Sequence, residues 1–195
     1  FREAGRLVVG TSRSTFDLMD ARSIDVFAAS LPMASVSELI VLAGFLPGRR
    51  LEDYYSWELV NVTGVNFTGP VLLVKTMLPR LRPGAHILLM SSIAAARGSY
   101  DPIYAASKAA LEAFVRSVAV DLGSRVRINA LAPSLIEGSG MWSRMSPELR
   151  DDHVRRSATG RLLQLGEVAD AIAQLCGPPW NGTSGQVIPL GAVPR

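Results

Sequence analysis

Short apolar runs that alternate with helical patterns predict an α/β fold, a parallel sheet with helices on both faces. Two observations carry that expectation. Leu39–Leu42 (LIVL), His86–Met90 (HILLM) and Val126–Leu131 (VRINAL) are almost continuously apolar over strand length, as strands buried on both faces must be. The segments between them carry helical spacing and are long enough to cross from one parallel strand to the next. The 195 residues, 48% of them hydrophobic and 19% charged, suffice for a single domain over 1–195 with a sizeable core.

The elements follow in order along the chain. Arg6–Thr11 (RLVVGT) reads as a buried strand, and Ser14–Asp17 leads into a short second strand. Ala21–Leu31 reads as a helix with Ile24, Phe27, Ala28 and Leu31 facing inward. The strand Leu39–Leu42 is closed by Ala43-Gly44, and a polar loop bearing Gly and Pro follows. A long helix runs from about Leu51 to Leu81, where Arg82-Pro83-Gly84 stops it. After strand His86–Met90 comes a helix over Asp101–Leu122, then strand Val126–Leu131. The mixed segment Ala132–Arg161, with Met141, Trp142 and Met145, reads as a mobile flap, lining a substrate pocket or packing as a lid. Gly166–Leu175 is a helix and Gln186–Leu190 a last strand.

Composition narrows the function. Net charge is only +3 although the pI is near 9.4, and the arginines are scattered without a basic stripe interleaved with aromatics, which argues against nucleic acid as a partner. No run is apolar long enough to span a bilayer, and the first residues do not read as a signal peptide. The single cysteine, Cys176, excludes an internal disulfide, fits a reducing cytoplasmic setting, and reads as a small buried hydrophobe. His86 and His153 have no cluster of Cys, His or carboxylate around them in sequence, so no metal site is expected. Asp151-Asp152 belongs to a solvated helix face, and no G-x-S-x-G elbow points to a serine hydrolase.

The chemistry-bearing motif is Tyr104-Ala-Ala-Ser-Lys108, which sets a phenol and an ammonium on one helix face at i and i+4. A cation there favours the phenolate, so Lys108 is expected to lower the Tyr104 pKa and make the phenol a usable acid/base near neutral pH. Alone the motif is a weak signal. It is joined by Ser91-Ser92 at the end of a strand, by Asn66-Phe-Thr-Gly69 on the long helix, by Ala43-Gly44 after a strand, and by Asn129-Ala-Leu-Ala-Pro133.

In that order these motifs resemble the short-chain dehydrogenase/reductase family over nearly the whole chain. The resemblance implies a Rossmann-like doubly wound sheet and an oxidoreductase that moves a hydride between NADP or NAD and a small ketone or secondary alcohol. It implies Tyr104 as general acid/base, Lys108 gripping the nicotinamide ribose, a serine hydrogen-bonding the substrate oxygen, and Asn66 holding a water that leads to Lys108. Two registers compete for the serine. The family's usual spacing to the tyrosine selects Ser91; counting from the strand and from Gly98 selects Ser92, which is favoured because the strand fixes what points over the sheet edge. Asp17 stands where the family contacts adenine, Ala43 and Gly44 end its N-N-A-G turn, Pro133 walls the nicotinamide, and Ile136 meets the carboxamide. Arg13, at the end of the second strand, pairs with a 2′-phosphate in one reading, favouring NADP; a solvated arginine is the other. The family's long helices commonly pair with their copies, so a homodimer or homotetramer is expected.

Departures from the pattern matter as well. The glycine-rich phosphate loop and the first strand are absent, and Phe1–Gly5 reads as the tail of the helix that follows that loop. The chain then reads either as an N-terminally incomplete piece of a longer family member or as a natural remnant, non-catalytic, that binds or oligomerises through its helices. Leu42 replaces an asparagine, Ser134 a glycine, and Gly138 a threonine for which Ser139 is a substitute.

Overall fold

The computed structural model describes residues 2, 5–12 and 14–191. Four strands, β1 (Val36–Val41), β2 (Leu81–Met90), β3 (Val126–Pro133) and β4 (Val187–Leu190), form one parallel sheet in the order β1-β2-β3-β4. The register pairs Leu39 with Ile87, Ile87 with Ile128, and Ala130 with Val187. Alternation across the pleat divides the strand side chains between two cores. Leu39, Val41, Ile87, Leu89, Ile128 and Ala130 face one layer; Ile40, Leu88, Met90, Leu131, Ile188 and Leu190 face the other.

The first layer is built from α1 (Ala21–Ala29), the helical stretch α2 (Ser56–Thr63) and α3 (Gly69–Met77), and, after the short α4 (Ala94–Arg97), the long α5 (Pro102–Leu122). Ile24, Ala28, Leu73, Val74, Met77, Leu111 and Val115 supply its apolar faces. After two flap helices, α6 (Gly140–Ser143) and α7 (Pro147–Arg156), α8 (Leu165–Leu175) covers the opposite face with Val168, Ile172 and Leu175. Helices on both faces of a parallel sheet are the architecture that the apolar runs predict.

Two expectations change. The single helix expected over Leu51–Leu81 is divided: α2 passes through a π-helical turn, Gly64–Thr68, into α3. Pro70 lacks an N–H, and the widened turn places it at the start of α3, where no intrahelical donor is needed. The same turn is crossed closely by the chain before α1. A Cβ on Gly69 would lie 2.5 Å from the Leu18 carbonyl oxygen, and one on Gly64 would collide with the Met19 side chain.

The second change is at the N-terminal side. Neither Arg6–Thr11 nor Ser14–Asp17 forms a strand; among the described residues 5–12 are exposed and irregular, with Leu7 95% accessible. An extended segment needs a ladder partner for its N–H and C=O groups, and no described strand lies on the open edge of β1. The Arg6 side chain of this segment forms an ion pair with Glu38 of β1 at 3.0 Å.

Candidate active site

The candidate residues gather where β1, β2 and β3 end, the edge at which open parallel sheets place their ligands. β1 runs out into Ala43-Gly44, β2 into Ser91-Ser92, and β3 into Ser134–Ile136. The first turns of α5 come up against these ends carrying Tyr104 and Lys108, which are 5% and 2% exposed. The π-helical turn presents Asn66, fully buried, from the other side.

Asn66 is clamped to the loop after β1. Its Nδ2 donates to the Phe45 carbonyl at 2.8 Å and to Ser107 Oγ at 3.1 Å, while its Oδ1 accepts from the Phe45 N–H at 2.8 Å. Ser107 in turn donates to the Tyr104 carbonyl at 2.7 Å, so the amide is fixed relative to the tyrosine's own helix. Lys108 Nζ donates to the Met90 carbonyl at 2.6 Å. Above Gly44 these groups converge: a Cβ there would lie 3.6 Å from Lys108 Nζ and 3.7 Å from Asn66 Oδ1. Gly44 thus opens onto a small recess bounded by a cation, an amide oxygen and the Met141 methyl, whose Cε would lie 3.8 Å from the same Cβ.

The electrostatics overturn one expectation. Burial pushes the Tyr104 phenol above its ordinary value; the nearby Ser92 hydroxyl pulls it down, and the Asp101 carboxylate raises it further. The ammonium sits 6.0 Å from the phenol ring centre and is drawn onto Met90, so the lowering expected of Lys108 does not prevail and the net shift of Tyr104 is upward. Lys108 is itself lowered by burial, to about 8. Tyr104 is a neutral phenol here, a proton donor rather than a phenolate.

The two serines have different surroundings. Ser91 is buried, and its Oγ donates to Glu112 Oε1 at 2.8 Å inside the core, where Arg116 bonds the other carboxylate oxygen at 3.2 Å. Ser92 is half-buried, accepts from the Ala94 N–H at 3.2 Å, and interacts with the Tyr104 hydroxyl. Ala43 is half-buried beside Gly44. Pro133 is buried and pairs with Leu190, and its carbonyl accepts from the Ile93 N–H at 3.2 Å, close behind Ser92. Ile136 forms a parallel bridge with Leu163. Asp17 is exposed, with its carboxylate spent on the Met19 N–H at 2.8 Å, and it hydrogen-bonds none of these residues. Arg13 lies outside the described residues.

Sequence reasoning missed the anchor of the site. Asp101, 1% exposed, caps α5 by accepting the Tyr104 N–H at 2.9 Å. The same carboxylate accepts the Gly48 and Arg49 N–H groups at 3.0 and 3.2 Å and the Tyr54 hydroxyl at 2.7 Å. An Asp followed by Pro at the start of a helix is the signal that could have found it. Met141 of the flap, expected to line a pocket or pack as a lid, packs onto Tyr104, with Sδ 3.9 Å from the hydroxyl.

Comparison with known proteins bears on the family and the fold. The profile of the family described as "Enoyl-(Acyl carrier protein) reductase" matches residues 14–191. The 7alpha-hydroxysteroid dehydrogenase of Escherichia coli K12 is 35% identical over 107 residues, 54% of this chain and 42% of that protein. Carbonyl reductase family member 4 of Danio rerio is 31% identical over 157 residues, 79% of this chain and 64% of that one. This chain therefore spans less than two thirds of either relative. A short-chain glucose/ribitol dehydrogenase from Brucella melitensis superposes with a TM-score of 0.83 at 26% identity, over 89% of this chain and 72% of that chain.

Proposed function

Because this chain belongs to the short-chain dehydrogenase/reductase family, we propose that it is an oxidoreductase acting on a small ketone or secondary alcohol, with Tyr104 as the general acid/base. The observation that carries the reading is the convergence of Lys108 Nζ and Asn66 Oδ1 over Gly44, on the helix face that holds Tyr104 and beside Ser92.

The recess over Gly44 fits the nicotinamide end of NADP or NAD: a side chain there would fill it, and Lys108 is a donor suited to ribose hydroxyls. Gly44, Ala43, Tyr104, Lys108, Pro133 and Ile136 would hold that end, and the bound cofactor supplies the hydride. Asp17 would meet the adenine, and Arg13 is the basis for favouring NADP over NAD. In the reducing direction, the neutral Tyr104 phenol gives its proton to the carbonyl oxygen while Ser92 donates a hydrogen bond to the same atom. The phenolate left behind is stabilised by the Lys108 ammonium. Asn66 would position a water through which Lys108 recovers a proton.

Tyr104→Phe is the test: turnover of a small ketone should fall at least a hundredfold while cofactor affinity changes little, and retained turnover would refute the assignment.

A second reading is a family member that keeps the fold without turnover and acts through its helices as a binding or oligomerising module. Titration followed by nicotinamide fluorescence separates the two: micromolar binding supports the enzyme, and no binding supports the remnant. In both cases a homodimer or homotetramer through the long helices is proposed, supported by the exposure of Trp57, Val60 and Val120, and sedimentation velocity would measure it.

A further inference from the structure

The flap between β3 and α8 hangs on a closed neck. Ile136 bridges Leu163, the Glu137 N–H donates to the Leu163 carbonyl at 2.8 Å, and the Leu163 N–H donates to the Leu135 carbonyl at 3.3 Å. Just inside the neck stand Gly138 at φ +74° and Gly160 at φ +69°, in the left-handed region that favours glycine. Between these two points Arg150 ties α6 and α7 into one body. Its guanidinium lies 3.8 Å over the Trp142 ring, and it donates to the Trp142 and Ser143 carbonyls at 3.0 and 3.1 Å.

Trp142 is thereby turned toward α7 and the cleft it shares with Pro147, Val154 and Leu162. Met141, its neighbour in the chain, points into the candidate site instead. The thioether Sδ lies 3.9 Å from the Tyr104 hydroxyl, and the methyl Cε lies 3.8 Å from where a Cβ on Gly44 would be. Leu46, Ala94 and Ala105 belong to the same apolar cluster. Among the described residues, the contact with Tyr104 is the one side-chain hydrogen bond from α6 to anything outside the flap. A thioether is a weak acceptor, so the contact closes the site without locking it.

The space Met141 fills is the space the proposed reaction needs. A carbonyl that takes a proton from Tyr104 has its oxygen about 2.7 Å from the hydroxyl, and its carbon faces the nicotinamide end proposed to lie over Gly44. The Sδ–Cε bond of Met141 lies between those same two points. Resting on the oxidoreductase reading above, we propose that Met141 is a self-occluding plug. A carbonyl substrate reaches Tyr104 only when α6 and α7, coupled by Arg150, swing outward together on Gly138 and Gly160. Apparent substrate affinity then scales with the fraction of molecules whose flap is open.

The test that needs neither cofactor nor turnover is nitration of the whole chain by tetranitromethane, with each modified tyrosine located by mass spectrometry. Tyr55 and Tyr100, 60% and 63% exposed, serve as internal controls. Tyr104 should react slowly in the unaltered protein. Met141→Ala and Arg150→Gln should each speed its nitration at least about threefold with the controls unchanged. Met141→Leu, which restores the bulk, should keep the protection, and circular dichroism confirms that each variant is folded. Tyr104 nitration indifferent to Met141→Ala overturns the plug. A rise in Met141→Ala without one in Arg150→Gln overturns the coupled swing. Kinetics with 2-pentanone supply the second arm: in Met141→Ala the KM should fall by about the same factor while kcat does not rise. A KM that rises instead makes Met141 a wall on which substrate rests and overturns the proposal. Opening of Tyr104 to nitration with no reduction by any variant counts against the oxidoreductase reading alone. Reduction by an unaltered protein whose Tyr104 nitrates as fast as Tyr55 counts against the plug alone.

Discussion

Removing the Asp101 carboxylate should loosen the site more than any other single change that leaves the proposed reacting groups in place. One buried side chain there accepts four hydrogen bonds, from the N–H groups of Tyr104, Gly48 and Arg49 and from the Tyr54 hydroxyl, all between 2.7 and 3.2 Å. Loss of a helix N-cap costs about 0.5–2 kcal/mol. Hydrogen bonds to a charged acceptor contribute about 1.5–3 kcal/mol each, but Gly48 is at the surface and can turn to water, so the four do not sum in full. Taking the cap, the Tyr54 bond and a fraction of the loop bonds, Asp101→Ala should lose about 3–5 kcal/mol. Asp101→Asn keeps the shape but aims an amide NH₂ at one pair of donors, and about 2 kcal/mol is expected.

Tyr54 gives an independent reading. Burial and the Asp101 carboxylate push its phenol well above the ordinary tyrosine range, so in Asp101→Asn the Tyr54 titration should move back down. Urea unfolding followed by the emission of the three tryptophans measures the stability change. A loss below about 1 kcal/mol in Asp101→Ala would refute the claim that this carboxylate joins the loop after β1 to the start of α5.

Further outcomes follow from other contacts. Ser91→Ala leaves Glu112 short of a buried donor and should cost about 1–2 kcal/mol with turnover intact, whereas Ser92→Ala should lower turnover about a hundredfold with stability intact; paired unfolding and kinetic measurements check the split. Gly69→Ala drives a methyl to 2.5 Å from the Leu18 carbonyl and should destabilise by about 1–2 kcal/mol despite alanine's better helix propensity, as chemical denaturation would report. His86 is 1% exposed, and its Nε2 accepts from Asn129, whose amide is oriented by Thr183 and Gln186, so a second ring proton has no acceptor. Burial and Arg127 lower its pKa to about 4 from an ordinary 6.5, so between those values the unfolded chain binds the extra proton. Stability should be full above pH 6.5 and fall by about 3 kcal/mol as pH drops toward 4, and His86→Leu should flatten that slope in denaturation at several pH values.

The sequence predicts the sheet well because strands buried on both faces must be apolar, and LIVL, HILLM and VRINAL have no other economical reading. It predicts the grouping of Tyr104, Lys108, Ser92 and Asn66 because a resemblance supplies the tertiary arrangement that spacing alone lacks. It misleads at Leu7-Val8-Val9, which has strand composition but no described neighbour to complete a ladder. The Asp101 network escapes it because the partners lie 47 to 53 residues away and involve backbone N–H groups, which leave no trace in side-chain identity. The sign of the Tyr104 shift escapes it for another reason. Sequence shows that an ammonium is near, but only the structure gives the depth of burial that outweighs it.

That sign bears on the direction of chemistry. A phenol kept neutral by burial, beside an ammonium whose pKa is lowered to about 8, is poised to give a proton rather than take one. Reduction of a carbonyl needs the proton on Tyr104 and the charge on Lys108, and the second condition fails first as pH rises. Reductive turnover should therefore decline as pH passes about 8, whereas oxidation of the corresponding alcohol, which needs the phenolate, should still rise there. Lys108→Met removes the titrating ammonium and should abolish the decline near 8 along with most of the activity. A reductive profile that is flat through pH 9 in the unaltered protein would show that Lys108 is not the group that holds the phenolate's charge.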